Sequence, residues 1–309
     1  MIATVTLNPS LDRTVTVQEL VPDETNRWTD LRRDPGGKGI NVSRVIHELG
    51  GKTIAYGFIG GIDGATLKEL LKQQSVPFDF TPIKGEIRSN FIIADETSCS
   101  QTRIDAPGPQ IMRHELQKLV QKVKHIGPKP DYLVLAGSVP PSVPNDIYRQ
   151  LIETAKNNGI KTVLDSDGKW LKDGIKAIPN IIKPNVHEAE ELLQMPLRSE
   201  IAIVEALKRL LDLGVELAVI SRGKQGLIAA HGVKVIKVQP PEVEVCSKVG
   251  AGDSTIAGLV LKLSQGFDIE EACRWAVAAG TAATLTPGTQ LCRREDVESI
   301  LFQVKTKRL

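Results

Sequence analysis

Residues 131–166 read DYLVLAGSVPPSVPNDIYRQLIETAKNNGIKTVLDS. The run DYLVLAG is apolar on successive residues and stops at a glycine, the pattern of a strand buried on both faces. PNDIYRQLIETAKNNG follows with apolar residues at helical spacing, and its closing glycine suits a helix stop. KTVLDS then returns to strand. A strand, a helix and a second strand make a crossover unit whose two strands lie parallel.

The same rhythm extends in both directions. IATVTL (2–7), TIAYGFIG (53–60), NIIKPN (180–185) and ELAVIS (216–221) read as further buried strands. NVSRVIHELGG (41–51) reads as a helix with Val42, Val45, Ile46 and Leu49 on one face and Gly50 at its end. EIAIVEALKRLLDLG (200–214) repeats the scheme. The alternation predicts an α/β protein: one domain over residues 1–309, in three α/β/α layers, with a mostly parallel sheet covered on both sides. No Gly/Ser or Pro-rich linker and no internal repeat divides it. Two stretches break the rhythm. RTVTVQELVPDETNRWTDLRRD alternates like exposed strand, and SNFIIADETSCSQTRIDAPG reads as a hairpin around a polar turn. Segments of about 13–34 and 87–106 are therefore expected to stand off the main sheet as a small β lid.

Charge is balanced, with 39 Lys and Arg against 37 Asp and Glu, a net of +2. Such balance gives no electrostatic case for nucleic acid or an anionic membrane as the main partner. The C-terminal KTKRL reads as a short solvated tail. Cys99, Cys246, Cys273 and Cys292 are far apart and form no C-x-x-C pair, which argues against a disulfide framework or a zinc site. The opening MIATVTLNPSLDRT lacks a basic start, so it is not read as a signal peptide. No apolar run approaches the roughly 18 residues that span a bilayer. A soluble, cytoplasmic protein of a reducing compartment is expected.

In open α/β sheets ligands gather at the carboxyl ends of the strands, so the polar residues there are the first candidates. VGAGDST, Val249–Thr255, opens an apolar-periodic helix with two glycines and an acid. Glycines let backbone N–H groups close on a ligand, and a helix N-terminus favours negative charge. Asp253 is then either a plain N-cap or a base that takes a proton beside an anion. Gly250-x-Gly252 has Thr255 where a dinucleotide fingerprint needs its third glycine. A nicotinamide oxidoreductase is accordingly the weakest rival. Neither GGKGIN nor SRGKQG places Ser or Thr after Gly-Lys, so a Walker A loop fails as well. Phosphoryl transfer asks mainly for positioning, charge stabilisation and a base in reach, which GAGD at a helix start could supply.

VGAGDST resembles the C-terminal signature of the PfkB/ribokinase family of sugar kinases, and DPGGKGINVSRVIHELGG resembles that family's N-terminal glycine signature. KPNVHEAEEL is similar to its K-P-N-x-x-E element and VISRGKQG to its S-x-G-x-x-G segment. These elements run in the family's order between Leu7 and Leu291. TLNPSLD and GGKGIN resemble the phosphosugar branch. VAAGTAATLTPGTQLC is similar to the minor bacterial 6-phosphofructokinase, whereas Lys38 within GGKG is what 1-phosphofructokinases and tagatose-6-phosphate kinases tend to show. The resemblance implies a ribokinase-like fold and ATP-dependent phosphorylation of a ketohexose phosphate. Fructose 6-phosphate is the leading substrate, with fructose 1-phosphate and tagatose 6-phosphate open. A phosphosugar sensor that kept the fold and lost turnover is the rival from another class; Asp253, its glycines and Glu188 argue against it.

Residue by residue, the resemblance implies that Asp253 is the general base and that the backbone of Gly250, Ala251 and Gly252 stabilises charge on the moving phosphoryl group. Asp12 would accept hydrogen bonds from sugar hydroxyls. Gly36, Gly37 and Asn41 would read hydroxyls at a helix start, where Asn41 could also be the helix cap. Arg88, Arg103 and Lys38 would meet the sugar phosphate, with Ser138 donating to it. Arg27 would serve a neighbouring site in a homodimer built through the lid. Lys183, Asn185, Ser221, Gly223 and Gly226 would border ATP, and Glu188 would hold Mg²⁺ through water. The bland alternative for Glu188 is a first-turn acid favoured by the helix dipole. His187 is expected to be exposed. Lys248 occupies the position before VGAGD where the family commonly has threonine. It would contact ATP or alter a monovalent-cation site that relatives form nearby, its ammonium standing in for K⁺.

Overall fold

The computed structural model describes residues 1–98 and 100–309; Cys99, one of the four cysteines weighed above, lies outside them. The first third of the chain forms β1 (Ile2–Thr6), β2 (Ser10–Val17), β3 (Trp28–Gly36), α1 (Lys38–Glu48), β4 (Thr53–Ile59), α2 (Gly61–Gln73), β5 (Phe78–Pro82), β6 (Arg88–Asp95) and β7 (Ser100–Ile104). The middle forms α3 (Arg113–Lys124), β8 (Tyr132–Ala136), α4 (Ile147–Asn157), β9 (Lys161–Asp165), α5 (Gly168–Gly174), β10 (Ile181–Ile182), α6 (Val186–Leu193) and α7 (Glu200–Asp212). The remainder forms β11 (Leu217–Ser221), β12 (Leu227–His231), β13 (Lys234–Gln239), α8 (Ala251–Ser264), α9 (Ile269–Ala282), α10 (Arg294–Leu301) and β14 (Lys305–Arg308).

Ten strands make one sheet in the order β14-β13-β12-β11-β10-β9-β8-β1-β4-β5. From β11 to β5 all neighbours are parallel, and β12, β13 and β14 extend the other edge antiparallel. The mostly parallel α/β fold read from the sequence is thus the observed one. Side chains of β1 and β8 alternate between two cores. Ile2, Tyr132 and Val134 pack with Val42, Val45 and Ile46 of α1 and with Ile256 and Val260 of α8. Ala3, Val5, Leu133 and Leu135 pack with Leu119 of α3, Leu151 of α4 and Leu207 of α7. Each large aliphatic side chain buried this way contributes about 1.5–3 kcal/mol. Strand order reverses at β1, whose neighbours are β4 on one side and β8 on the other. Such a reversal opens a crevice at the carboxyl ends of the strands.

A second sheet, in the order β3-β2-β6-β7, grows out of that edge. Only Leu7, Asn8 and Pro9 separate β1 from β2, and Gly37 alone separates β3 from α1. Asp12 lies opposite Asn90 across the β2–β6 pair and opposite Asp34 across the β2–β3 pair. A bidentate ion pair, Arg13 to Asp63 at 2.7 and 2.9 Å, ties this sheet to α2.

The basic tail departs from its reading. Lys305–Arg308 is β14, an antiparallel edge strand on β13, exposed along its length. Lysine and arginine on an exposed edge discourage pairing with another chain, so the charges serve the strand. The sheet beyond β11 was not read from the sequence at all.

Candidate active site

Two helix N-termini converge on the crevice. α8 starts after Gly250, whose φ of +77° and whose contact with Leu291 both exclude a side chain. Among the described residues, no protein acceptor takes the N–H groups of Ala251, Gly252 or Asp253, the usual state of a first turn that leaves donors for an anion. Asp253 sits at the third helical position and its side chain caps nothing, so the N-cap alternative falls away. Its Oδ2 accepts from Asn41 Nδ2 at 2.8 Å, and burial pushes its pKa up to about 6 despite the opposing pull of Lys38 and Asn41.

α1 starts after Gly37, at φ +109° and pressed on Thr6 and Pro9, so the cap position is glycine and not Asn41. Asn41 lies four residues into the helix with its amide turned to Asp253. Lys38, at the helix start, reaches Asp165 Oδ2 at 3.4 Å; the surrounding acids Asp165, Asp253, Glu188 and Asp167 outweigh burial and raise its pKa.

Asp165 was not singled out from the sequence, although an acid closing a buried strand in KTVLDS is the signal that would have found it. It is 2 % exposed at the end of β9, with Lys183 Nζ at 3.2 Å from Oδ1. Burial alone would raise its pKa, but Lys183 and Lys38 together hold it below the usual carboxylate value. Lys183, after β10, is itself buried and points at α8: a Cβ on Gly252 would stand 3.9 Å from its Nζ.

Asn185 and Glu188 form a reciprocal cap on α6. Asn185 Oδ1 accepts from the Glu188 N–H at 2.9 Å, and Glu188 Oε2 accepts from the Asn185 N–H at 2.8 Å. The first-turn reading of Glu188 therefore holds locally, while its second oxygen takes no hydrogen bond among the described residues. Burial and then Asp165 raise its pKa, so the two carboxylates feel each other. Ser221 bridges to Asn185 beside this turn. Gly223 and Gly226 follow at positive φ; a side chain on Gly226 would strike the Val238 carbonyl, whereas Gly223 faces open space. His187 is exposed and pairs with Glu191 on its own helix at 3.3 Å.

On the other side of the crevice, Asp12 Oδ1 accepts from Ser10 Oγ at 2.7 Å and Asn90 Nδ2 at 2.9 Å, leaving Oδ2 without a donor among the described residues. Gly36 closes over this carboxylate, since a Cβ there would lie 2.5 Å from it. Burial raises the Asp12 pKa, opposed by Ser10, Asn90, Arg103 and Arg88. Arg88 is tethered by donation to Asn8 O at 3.2 Å and Ala106 O at 3.1 Å. Asn8 Nδ2 donates to Ser138 Oγ at 3.2 Å, which joins Ser138 to the same cluster, and Asn8 Oδ1 is buried without a partner. Asn8 in TLNPSLD and Asn90 in SNFIIADET are site residues that nothing local distinguishes.

Two assigned residues stand apart, and a third, Arg103, lies at the rim, within reach of the Asp12 charge. Arg103 is half-exposed and paired with Asp105 at 3.0 Å. Arg27 is exposed and makes no hydrogen bond or ion pair among the described residues. Lys248 is exposed likewise. In the loop held by the neighbouring Ser247, the Pro287, Gly288 and Thr289 carbonyls accept from Arg32, Ser247 and Arg44.

A buried carboxylate beside a helix start with open N–H donors, on an α/β sheet with lysines nearby, is the arrangement that phosphoryl transfer asks for. The chain matches the pfkB family of carbohydrate kinases over residues 5–296 and belongs to that family, as a sugar-phosphate kinase of the phosphofructokinase type. It is 37 % identical over 302 residues to an Escherichia coli protein named ATP-dependent 6-phosphofructokinase isozyme 2, covering 97 % of each chain. It is 34 % identical over 309 residues to a Borreliella burgdorferi 1-phosphofructokinase, covering 99 % of this chain and 98 % of the other. A crystal structure of Escherichia coli phosphofructokinase-2 in complex with potassium superposes with a TM-score of 0.94 at 35 % identity, over 98 % of both chains. Among the described residues no helix is long and apolar enough to cross a membrane.

Proposed function

We propose that this protein transfers the γ-phosphoryl group of MgATP to the C1 hydroxyl of fructose 6-phosphate. The carrying observation is Asp253: a buried carboxylate with one oxygen held by Asn41 and a pKa of about 6, beside N–H groups that have no protein acceptor. Asp253 takes the hydroxyl proton as the sugar oxygen attacks the γ-phosphorus. The new O–P bond forms while the bond to the β-phosphate oxygen breaks, and its electron pair leaves with ADP. The N–H groups of the α8 first turn and the Lys183 ammonium stabilise the charge in flight. Asp12 Oδ2 accepts from sugar hydroxyls beside Gly36 and Gly37, and Arg88, Ser138, Arg103 and Lys38 meet the sugar phosphate.

Asp165 and Glu188 suit a magnesium ion carried on nucleotide: two neighbouring hard-oxygen donors, one with a spare oxygen. When bound, Mg²⁺ would neutralise phosphate charge. Asn185, Ser221 and Gly223 border the nucleotide. Glu188→Gln keeps the capping box but loses the charge, so Tm should barely move. Half-maximal activity should then need on the order of 10-fold more Mg²⁺. An unchanged Mg²⁺ titration would remove Glu188 from the metal.

The small sheet acts in this reading as a lid, and Trp28, Phe91 and Ile104 expose apolar surface on it. That patch favours a homodimer joined lid to lid, in which Arg27 serves the neighbouring site.

Initial rates of ADP release from MgATP decide the function. The panel is fructose 6-phosphate, fructose 1-phosphate, tagatose 6-phosphate and fructose, with the mass of the same preparation measured by sedimentation. The expected result is the highest kcat/KM on fructose 6-phosphate from a species of twice the monomer mass. A preference for another phosphosugar would keep the chemistry and reassign the cations. No turnover on any of them would leave a phosphosugar sensor.

A further inference from the structure

Asn41 and Arg44 lie three residues apart on α1, which sets their side chains on one helix face. Arg44 is 8 % exposed, a costly place for a guanidinium. Its Nε donates to Gln74 Oε1 at 2.9 Å. Its Nη1 donates to Pro35 O at 3.0 Å and to Asn41 Oδ1 at 3.3 Å, and reaches Thr289 O at 3.5 Å. Its Nη2 lies 3.8 Å from Asp34 Oδ1. Asn41 Nδ2 in turn donates to Asp253 Oδ2.

The polarity of this chain matters more than its length. A carboxamide is nearly symmetric in shape, and a half-turn exchanges its donor for its acceptor. An Asn41 free to turn would present oxygen to the Asp253 carboxylate for part of the time. A guanidinium has no acceptor, so Arg44 pins the oxygen end and forces the NH₂ end toward Asp253.

We infer that Arg44 is a positioning residue for phosphoryl transfer, fixing the Asn41 amide so that it holds the Asp253 carboxylate in place. The role presupposes the function proposed above. Other charged groups facing Asp253 are Lys38 on α1, Asp165 at the end of β9 and Lys183 after β10. None of them touches the Asn41 amide oxygen. The guanidinium also joins the ends of β3 and α2 and the Thr289 loop, so a packing role must be separated from the positioning one.

Arg44→Met, Asn41→Ala and the double variant make the test, assayed with MgATP and the sugar phosphate the parent prefers. Arg44→Met should lower kcat on the order of 100-fold with little change in KM, because the base is displaced rather than the substrate. The acid limb of kcat should move to higher pH as Asp253 loses its held donor. In the Asn41→Ala background the same substitution should cost less than about threefold. Gln74→Ala, which cuts only the Nε contact, should leave kcat and the limb unchanged. An equal loss in both backgrounds, or a loss with the limb unmoved, would make Arg44 a packing residue and overturn the role. If Arg44→Met fails to fold, Arg44→Lys keeps a cation without the fork and should still move the limb; parental behaviour from it would overturn the role too. A parent inactive on every sugar phosphate defeats the functional reading instead. Carbon-13 NMR titration of the Asp253 carboxyl then decides: a higher apparent pKa in Arg44→Lys, which keeps the cation and loses the fork, supports the positioning role, and an unchanged one refutes it.

Discussion

Asp253→Asn should lower kcat on the order of 10³-fold while KM for the sugar phosphate stays within a few-fold, since a general base contributes about 10²–10⁴ in rate and little in ground-state binding. Asparagine keeps the shape and can still pair with Asn41, so the loss isolates proton abstraction. In the parent, kcat/KM should rise with pH through about 6 and then level, because Asp253 works only when ionised. Stability should move the other way. The folded pKa of about 6 lies above the ordinary 3.8, so the folded chain binds the proton more tightly than the unfolded chain. Stability therefore falls as pH rises through that window, by at most about 3 kcal/mol once both states are ionised. Asparagine has no such charge. The variant should melt a few degrees higher than the parent at pH 7 and show no gain at pH 4, an activity–stability trade at one residue. A variant with full turnover would remove Asp253 from the chemistry, and one that melts lower would mean the carboxylate is stabilising where it lies.

Lys183→Met should be costly on both counts. Lys183 and Asp165 are 4 % and 2 % exposed and 3.2 Å apart. Removing the ammonium leaves Asp165 buried with Lys38 alone, which is about one-third exposed and 3.4 Å away. Breaking a buried pair from one side costs about 3–5 kcal/mol. The pair's sign is clear: with its pKa held below 3.8, Asp165 contributes stability at neutral pH that is lost as pH falls through the folded value. In the variant burial prevails, so the stability gap between parent and variant should be wide at pH 7 and narrow below pH 4. Turnover should fall on the order of 10³-fold with loss of the charge beside the transferring group. Adding Asp165→Asn should restore most of the stability and none of the activity. If the double variant regained turnover, Lys183 would matter only as the partner of Asp165. Urea titration at the two pH values and steady-state rates separate these outcomes.

Much of the molecule was legible locally. The strands beginning at Ile2, Thr53, Tyr132 and Leu217 announce themselves by apolar-rich runs, because a strand buried on both faces has little room for polar side chains. Gly50, Gly159 and Gly214 all adopt positive φ just past the helices they were expected to close. The helix starts at GGKGIN and VGAGDS were visible for the same reason: a helix N-terminus is specified by the few residues that form it. KTKRL was misread because β14 exists only through its pairing with β13, which nothing in those residues encodes.

The sequence by itself thus determined the α/β rhythm, the glycine-led helix starts and the residues able to donate or accept there. Local residues left Asp253 and Asn41 each with a capping alternative, and only tertiary structure removed it. The hydrogen bond between them spans 212 residues of chain. Lys38, Asp165 and Lys183 come from α1, β9 and the end of β10, and Asp12 is held by Asn90 from another strand. Helical hydrogen bonding and apolar periodicity act over a few residues and can be read in order along the chain. Charge compensation inside a protein acts between whichever groups the packed sheet and helices bring within a few ångströms, and that is decided only when the layers close.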